Sequence, residues 1–221
     1  MENITDVHIT SLKQSKYLTA HSLHYVQSEK KKVCDCVTEH SDVSILLFNS
    51  SRNVFIFVKQ FRPAVYLYNS STEVLGENEV VNTLRHPGSL GVTIELCAGL
   101  VDRDEPLADI ARAEVLEECG YLVPEGSLRK ITSCRNGSSI TGALVTLFYA
   151  QVTDEMKVSQ GGGLEEEGEL IEVVELPVGQ ALDLIYDESV NREATLLLAL
   201  QWFFSEIWPV LKKTNISGNL L

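Results

Sequence analysis

The hydrophobic and polar positions of this chain alternate over short stretches, and helical spacing is confined to a few segments. A strand is expected from Tyr17 to about Gln27, then the charged turn SEKKK, then a second strand from Val33 to Thr38. VSILLFN and VFIFVKQF are rich in β-branched and aromatic residues, and the SSRN between them predicts a hairpin. Residues 69–91 are polar and contain Gly and Pro, so a long loop or flap is expected there. GVTIELCAG reads as one strand leading to a helix, and LRKITSC and ALVTLFYAQV read as two further strands. QGGGLEEEGEL follows as a glycine-rich acidic loop, then IEVVEL as a strand. Gly179 to Tyr186 predicts a short helix, and residues 192–208 an amphipathic one. Strands outnumber helices and the order is mixed, which indicates an α+β fold rather than a doubly wound parallel sheet.

Composition narrows the partners. A chain of 221 residues can bury a sizeable core in one domain, with room for a small appendage. Its net charge of −13 argues against a general nucleic-acid or membrane-surface binder, because both need a positive footprint. A phosphate-bearing ligand would have to be held by local arginines or bound cations. MENITDVHITSLKQSKY is polar and lacks the apolar stretch of a signal peptide. The apolar run LLLALQWFFSEIW is interrupted by Gln201 and Glu206 and reads as too short to span a bilayer. Five cysteines, an odd number without zinc-ligand spacing, fit reduced thiols in a cytoplasmic protein. The histidines show no ligand spacing either.

The chemistry concentrates in residues 99–121, GLVDRDEPLADIARAEVLEECGY. Glu114, Glu117 and Glu118 are related by i, i+3 and i+4 and share one helical face, while Leu107, Ile110, Ala111 and Val115 occupy another. A solvated acidic stripe is the ordinary explanation of such a pattern. The setting favours a different one. Gly99 ends a strand, an irregular loop follows, and Gly120 sits where a helix C-cap belongs. Converging carboxylates repel unless a cation lies among them, and hard ions such as Mg²⁺ take oxygen ligands. The stretch therefore reads as a metal cradle.

It resembles the Nudix box, G-x5-E-x7-R-E-U-x-E-E-x-G-U, where U is a bulky apolar residue. Gly99, Glu105, Glu114, Val115, Glu117, Glu118, Gly120 and Tyr121 match in register. One position departs: the box arginine is Ala113. Arg112 is adjacent, but about 100° around the helix. VKQFRPAVY, the strand ending in ELCAG, and GGGLEEEGELIEVVELP extend the similarity over roughly residues 40–208, to the ADP-ribose and nucleotide-sugar branch of the family. The resemblance implies a Nudix fold, with mixed β-sheets sandwiched by helices. It also implies an N-terminal β segment at 1–40 that builds a homodimer, a hydrolase domain at 41–210 and a tail at 211–221.

The implied activity is Mg²⁺-dependent hydrolysis, with Mn²⁺ as the alternative ion, of the pyrophosphate bond in nucleoside diphosphate sugars. UDP-glucose, giving UMP and glucose 1-phosphate, is the leading substrate. The alternatives are ADP-ribose hydrolysis or, given Ala113, a catalytically weak nucleotide-binding protein. By the same resemblance Glu114 and Glu118 are metal ligands, joined by the Ala98 carbonyl and Glu169. Glu117 is a further ligand or an orienting catalytic group, and Glu167 is the general base on a loop that GGG leaves free to move. Arg62 is a phosphate clamp, or a surface arginine at a strand end. Glu95 is open between a nucleotide contact and a structural pairing. Trp202, Phe203, Phe204 and Trp208 are expected in the core or at a dimer contact. No nucleic-acid or membrane partner is expected.

Overall fold

A computed structural model describes residues 2–15, 18–70, 80–164, 166 and 168–218, the last five through their backbone alone. Strand β3 (Asp42–Asn49) is its centre, and every residue from Val43 to Asn49 is buried. Such a strand must be covered on both faces, which explains its near-continuous apolar run. It pairs in parallel with β8 (Ala143–Val152) and antiparallel with β4 (Val54–Phe61). Strands β5 (Val92–Glu95), β6 (Cys97–Leu100), β7 (Arg129–Asn136) and β9 (Glu172–Pro177) complete a seven-stranded mixed sheet.

Side chains alternate across this sheet into two cores. Leu46, Phe48, Phe55 and Phe57 face the helices α3 (Val178–Tyr186) and α4 (Ala194–Trp202) through Ala181, Leu196, Ala199 and Leu200, with Phe203 just beyond α4. Val43, Ile45, Leu47, Ile56 and Val58 face α2 (Leu107–Cys119) through Ile110, Ala111 and Val115. Each Val, Leu, Ile or Phe among them contributes about 1.5–3 kcal/mol by leaving water. The α+β sandwich expected from the sequence is present.

GVTIELCAG, expected as one strand, is two. Strands β3 and β4 pair through only Leu47–Asn49 and Val54–Ile56, then diverge. Strand β5 pairs with the far end of β4, and β6 with Asp42–Ile45 of β3, so the break at Leu96 lets one segment bridge the opening. Residues 63–70 form a short helix, α1 (Pro63–Ser70), whose Tyr66 hydroxyl donates to the His86 carbonyl at 2.7 Å. Proline suits its first position, where no intrahelical N–H is needed. Of the expected flap, 71–79 lie outside the described residues. The part after it folds onto the N-terminal arm, with Val81 N–H donating to the Val7 carbonyl at 2.9 Å.

The N-terminal strands β1 (Leu18–Gln27) and β2 (Lys30–Glu39) form a separate two-stranded sheet, turned at Ser28 and Glu29 with φ of 49° and 65°. Positive φ at both turn residues matches the twist of a tight hairpin. At the other end α4, a π-helical turn (Phe203–Ile207) and α5 (Trp208–Gly218) run on continuously, well past the expected helix end at 208. By length and composition Ala194–Lys213 is sufficient to cross a membrane, which corrects the expectation that this run is too short. Phe203 packs within it on Phe55 and Phe48, with centroids 4.7 and 4.9 Å away, so here it serves as a core helix. Trp202, Phe204 and Trp208 lie half-buried against the same core.

Candidate active site

Helix α2 begins after Pro106 and ends at Gly120, whose φ of 76° lets its N–H reach the Leu116 carbonyl at 3.1 Å. With Ile110, Ala111 and Val115 anchored on the sheet, Glu114 and Glu118 are turned towards β6. Gly99 explains how closely the two elements meet, since a Cβ there would overlap the Glu114 carboxyl group. Glu118 is only 4% exposed and accepts a hydrogen bond from the Ala98 N–H at 3.0 Å. Burial pushes its carboxyl up to about 8, and the charges of Glu114 and Glu169 add to the shift. Glu114 rises to about 7, first through burial, then through Glu117, with Glu169 adding and Arg103 opposing. Glu114, Glu118 and Glu169 thus share one electrostatic neighbourhood.

The acidic loop reaches this neighbourhood by a route the sequence did not reveal. Gly162 N–H donates to the Glu118 carbonyl at 2.8 Å and Gly163 N–H to the Glu117 carbonyl at 3.3 Å. A Cβ on Gly161 would overlap the Glu118 carbonyl. Gly162 and Gly163 satisfy helix carbonyls that otherwise lack partners. They therefore pin the base of the loop, where free movement was expected. Glu169 is fixed in turn, its Oε2 accepting from the Leu164 N–H at 2.9 Å. Glu167, the expected base, lies outside the described residues.

On the far side, Arg62 follows β4. Its Nε and Nη2 donate to Glu95 Oε1 and Oε2 at 2.9 and 2.6 Å. Thr93 and Gln60 also donate to Glu95, at 2.6 and 3.1 Å. Glu95 is 3% exposed; burial opposes its charge, but the Arg62 bond and charge prevail and hold its pKa below the ordinary value. Of its two open roles, the geometry fits structural pairing. The Arg62 guanidinium is held above its usual range by the Glu95 hydrogen bond, against burial, with smaller contributions from Glu95, Glu193 and Glu118 charge. Its Nη1 makes no protein hydrogen bond among the described residues.

The missing box arginine has no substitute in Arg112. Its Nε donates to the Val123 carbonyl at 2.9 Å and its Nη1 to Asp109 at 3.2 Å, which turns it from the site. The cation on Glu114 is Arg103, with Nη2 3.3 Å from Oε1. Sequence reasoning missed it; the one signal was a lone arginine among the acids of the loop. Among the described residues, no three side chains with metal-binding heads form a ready-made cage. Carboxylates that repel one another across a common space fit a hard ion whose shell is completed by water and phosphate.

The chain is 43% identical over 218 residues to the uridine diphosphate glucose pyrophosphatase of Bos taurus, covering 95% of this chain and 98% of that protein. It belongs to the Nudix hydrolase family. The Mus musculus protein of the same name is 39% identical over 217 residues, again 95% and 98% of the two chains. A GDP-mannose pyrophosphatase of Escherichia coli is 32% identical over 190 residues, 82% of this chain and 86% of that one. No protein-family profile matches the chain. Helix α2 carries the stretch that resembles the Nudix box, and the Arg103 contact lies within that stretch.

Proposed function

We propose that this Nudix hydrolase cleaves the pyrophosphate bond of nucleoside diphosphate sugars, UDP-glucose first, giving UMP and glucose 1-phosphate. The observation that carries the reading is the 43% identity, across nearly the whole of both chains, to a pyrophosphatase named for UDP-glucose. In the reaction, water oxygen bonds to one phosphorus, the bridging P–O bond breaks, and the other phosphate leaves. Glu167 takes the proton from that water, and Glu117 helps to orient the reacting groups. Arg62, aimed by Glu95, holds phosphate oxygens with its remaining donors. Glu114, Glu118, Glu169 and the Ala98 carbonyl would hold Mg²⁺ or Mn²⁺. When bound, the ion would supply charge neutralisation and lower the pKa of a water it holds.

A second reading, GDP-mannose as the preferred substrate, is favoured by the 32% identity to the bacterial enzyme. A product-resolved screen of UDP-glucose, GDP-mannose and ADP-ribose with Mg²⁺ separates them. Turnover of ADP-ribose alone would reject both sugar readings. A homodimer belongs to the same proposal. Leu23, Val26 and Val33 are exposed on a two-stranded hairpin that has no core of its own, and such a hairpin is marginal in water without a partner. Light scattering that gives a monomer mass at all concentrations would reject it. Five unpaired cysteines fit a cytoplasmic location.

A further inference from the structure

We infer that Arg103 is the positioning residue that replaces the box arginine, bracing the Nudix loop against the helix from the opposite side. The inference rests on the reading of Glu114 as a metal ligand. In the box pattern the cation stands on the helix, immediately before the first glutamate, and here that position is Ala113. Glu105, the box acid in the loop, is exposed and makes no ion pair among the described residues. Arg112 is committed to Val123 and Asp109.

Arg103 sits in the same loop, two residues before Glu105, and donates to Glu114 Oε1 at 3.3 Å. The ion pair therefore joins the same two segments, loop and helix, with its polarity reversed: the cation is on the loop and the acid is on the helix. Side-chain exposure is 44% for Arg103 and 14% for Glu114, so the pair lies at the rim of the site. Two effects of Arg103 on a divalent ion oppose each other. Its positive charge repels the ion, but at that exposure water and salt screen much of the repulsion. Its hydrogen bond adds a directional restraint to a ligand carboxylate that packs against Gly99, and that contact is short-ranged. Orientation outweighs repulsion, as it does for partners that hold metal ligands in place generally.

The test is Mn²⁺ binding to the full chain, followed by electron paramagnetic resonance without substrate. Arg103→Ala should weaken Mn²⁺ about tenfold, with Arg103→Lys in between. Ala113→Arg added to Arg103→Ala should restore affinity to within about twofold of the parent, because either arginine can join loop to helix. In steady-state kinetics Arg103→Ala should lower kcat and leave KM nearly unchanged. Parent-like or tighter Mn²⁺ binding by Arg103→Ala would overturn the inference, and so would a double variant that recovers nothing. Glu114→Gln serves as the control. If it binds Mn²⁺ like the parent, the metal-site reading fails first and takes the brace with it.

Discussion

Replacing Glu118 by glutamine should stabilise the metal-free protein while abolishing its activity. The carboxyl is 4% exposed, and its pKa rises from an ordinary 4.5 to about 8, chiefly because burial disfavours the charge. A folded state that binds the proton more tightly than the unfolded chain gains stability below the unfolded value. That stability is lost as pH rises from about 4.5 through about 8. At pH 7 the raised pKa therefore costs up to roughly 3 kcal/mol of stability. Glu114, raised to about 7, adds a smaller loss in the same direction. Glutamine keeps an oxygen to accept the Ala98 N–H and carries no charge. In a chelator, Glu118→Gln should melt several degrees above the parent at pH 7.5, at about 2–4 °C per kcal/mol, and match it near pH 4.5. Mg²⁺ should raise the parent's midpoint and leave the variant's unchanged. Thermal unfolding from pH 4.5 to 8.5, with and without Mg²⁺, makes the comparison. Identical midpoints and identical pH slopes in chelator would refute the claim that a buried, uncompensated carboxylate stands at this position.

Three other outcomes are expected. Gly99→Ala should push the Glu114 carboxyl aside and lower kcat at least tenfold, because small displacements of reacting groups slow chemistry; parent-like turnover would show that Glu114 has room to move. Glu95→Gln should release the Arg62 guanidinium and raise KM about tenfold with a smaller change in kcat, as for lost substrate binding; steady-state kinetics in which only kcat falls would contradict it. Glu167→Gln should lower kcat about 100-fold with KM little changed, whereas a large loss in Glu166→Gln instead would move the base by one residue.

Where sequence and structure agree, the signal was a fixed spacing or a long apolar run. Strands β3 and β8 were legible because they are buried along most of their length. Helix α2 was legible because its carboxylates and its apolar residues keep separate faces. The break at Leu96 was not. It is set by β3 and β4 diverging elsewhere in the sheet, and nothing inside GVTIELCAG marks it. Glycine was ambiguous in the acidic loop, since the same residue permits movement and close approach. The structure uses Gly161–Gly163 for approach, against the carbonyls of Glu117 and Glu118. Arg103 was illegible for a similar reason: its contact with Glu114 depends on the path of an irregular loop.

The central claim is hydrolysis of a nucleotide sugar at the Nudix helix, and phosphorus NMR of UDP-glucose incubated with the protein and Mg²⁺ tests it most directly. The account predicts UMP and glucose 1-phosphate in equal amounts from the parent chain, and neither from Glu118→Gln. No turnover of UDP-glucose by the parent, or equal turnover by Glu118→Gln, would contradict it.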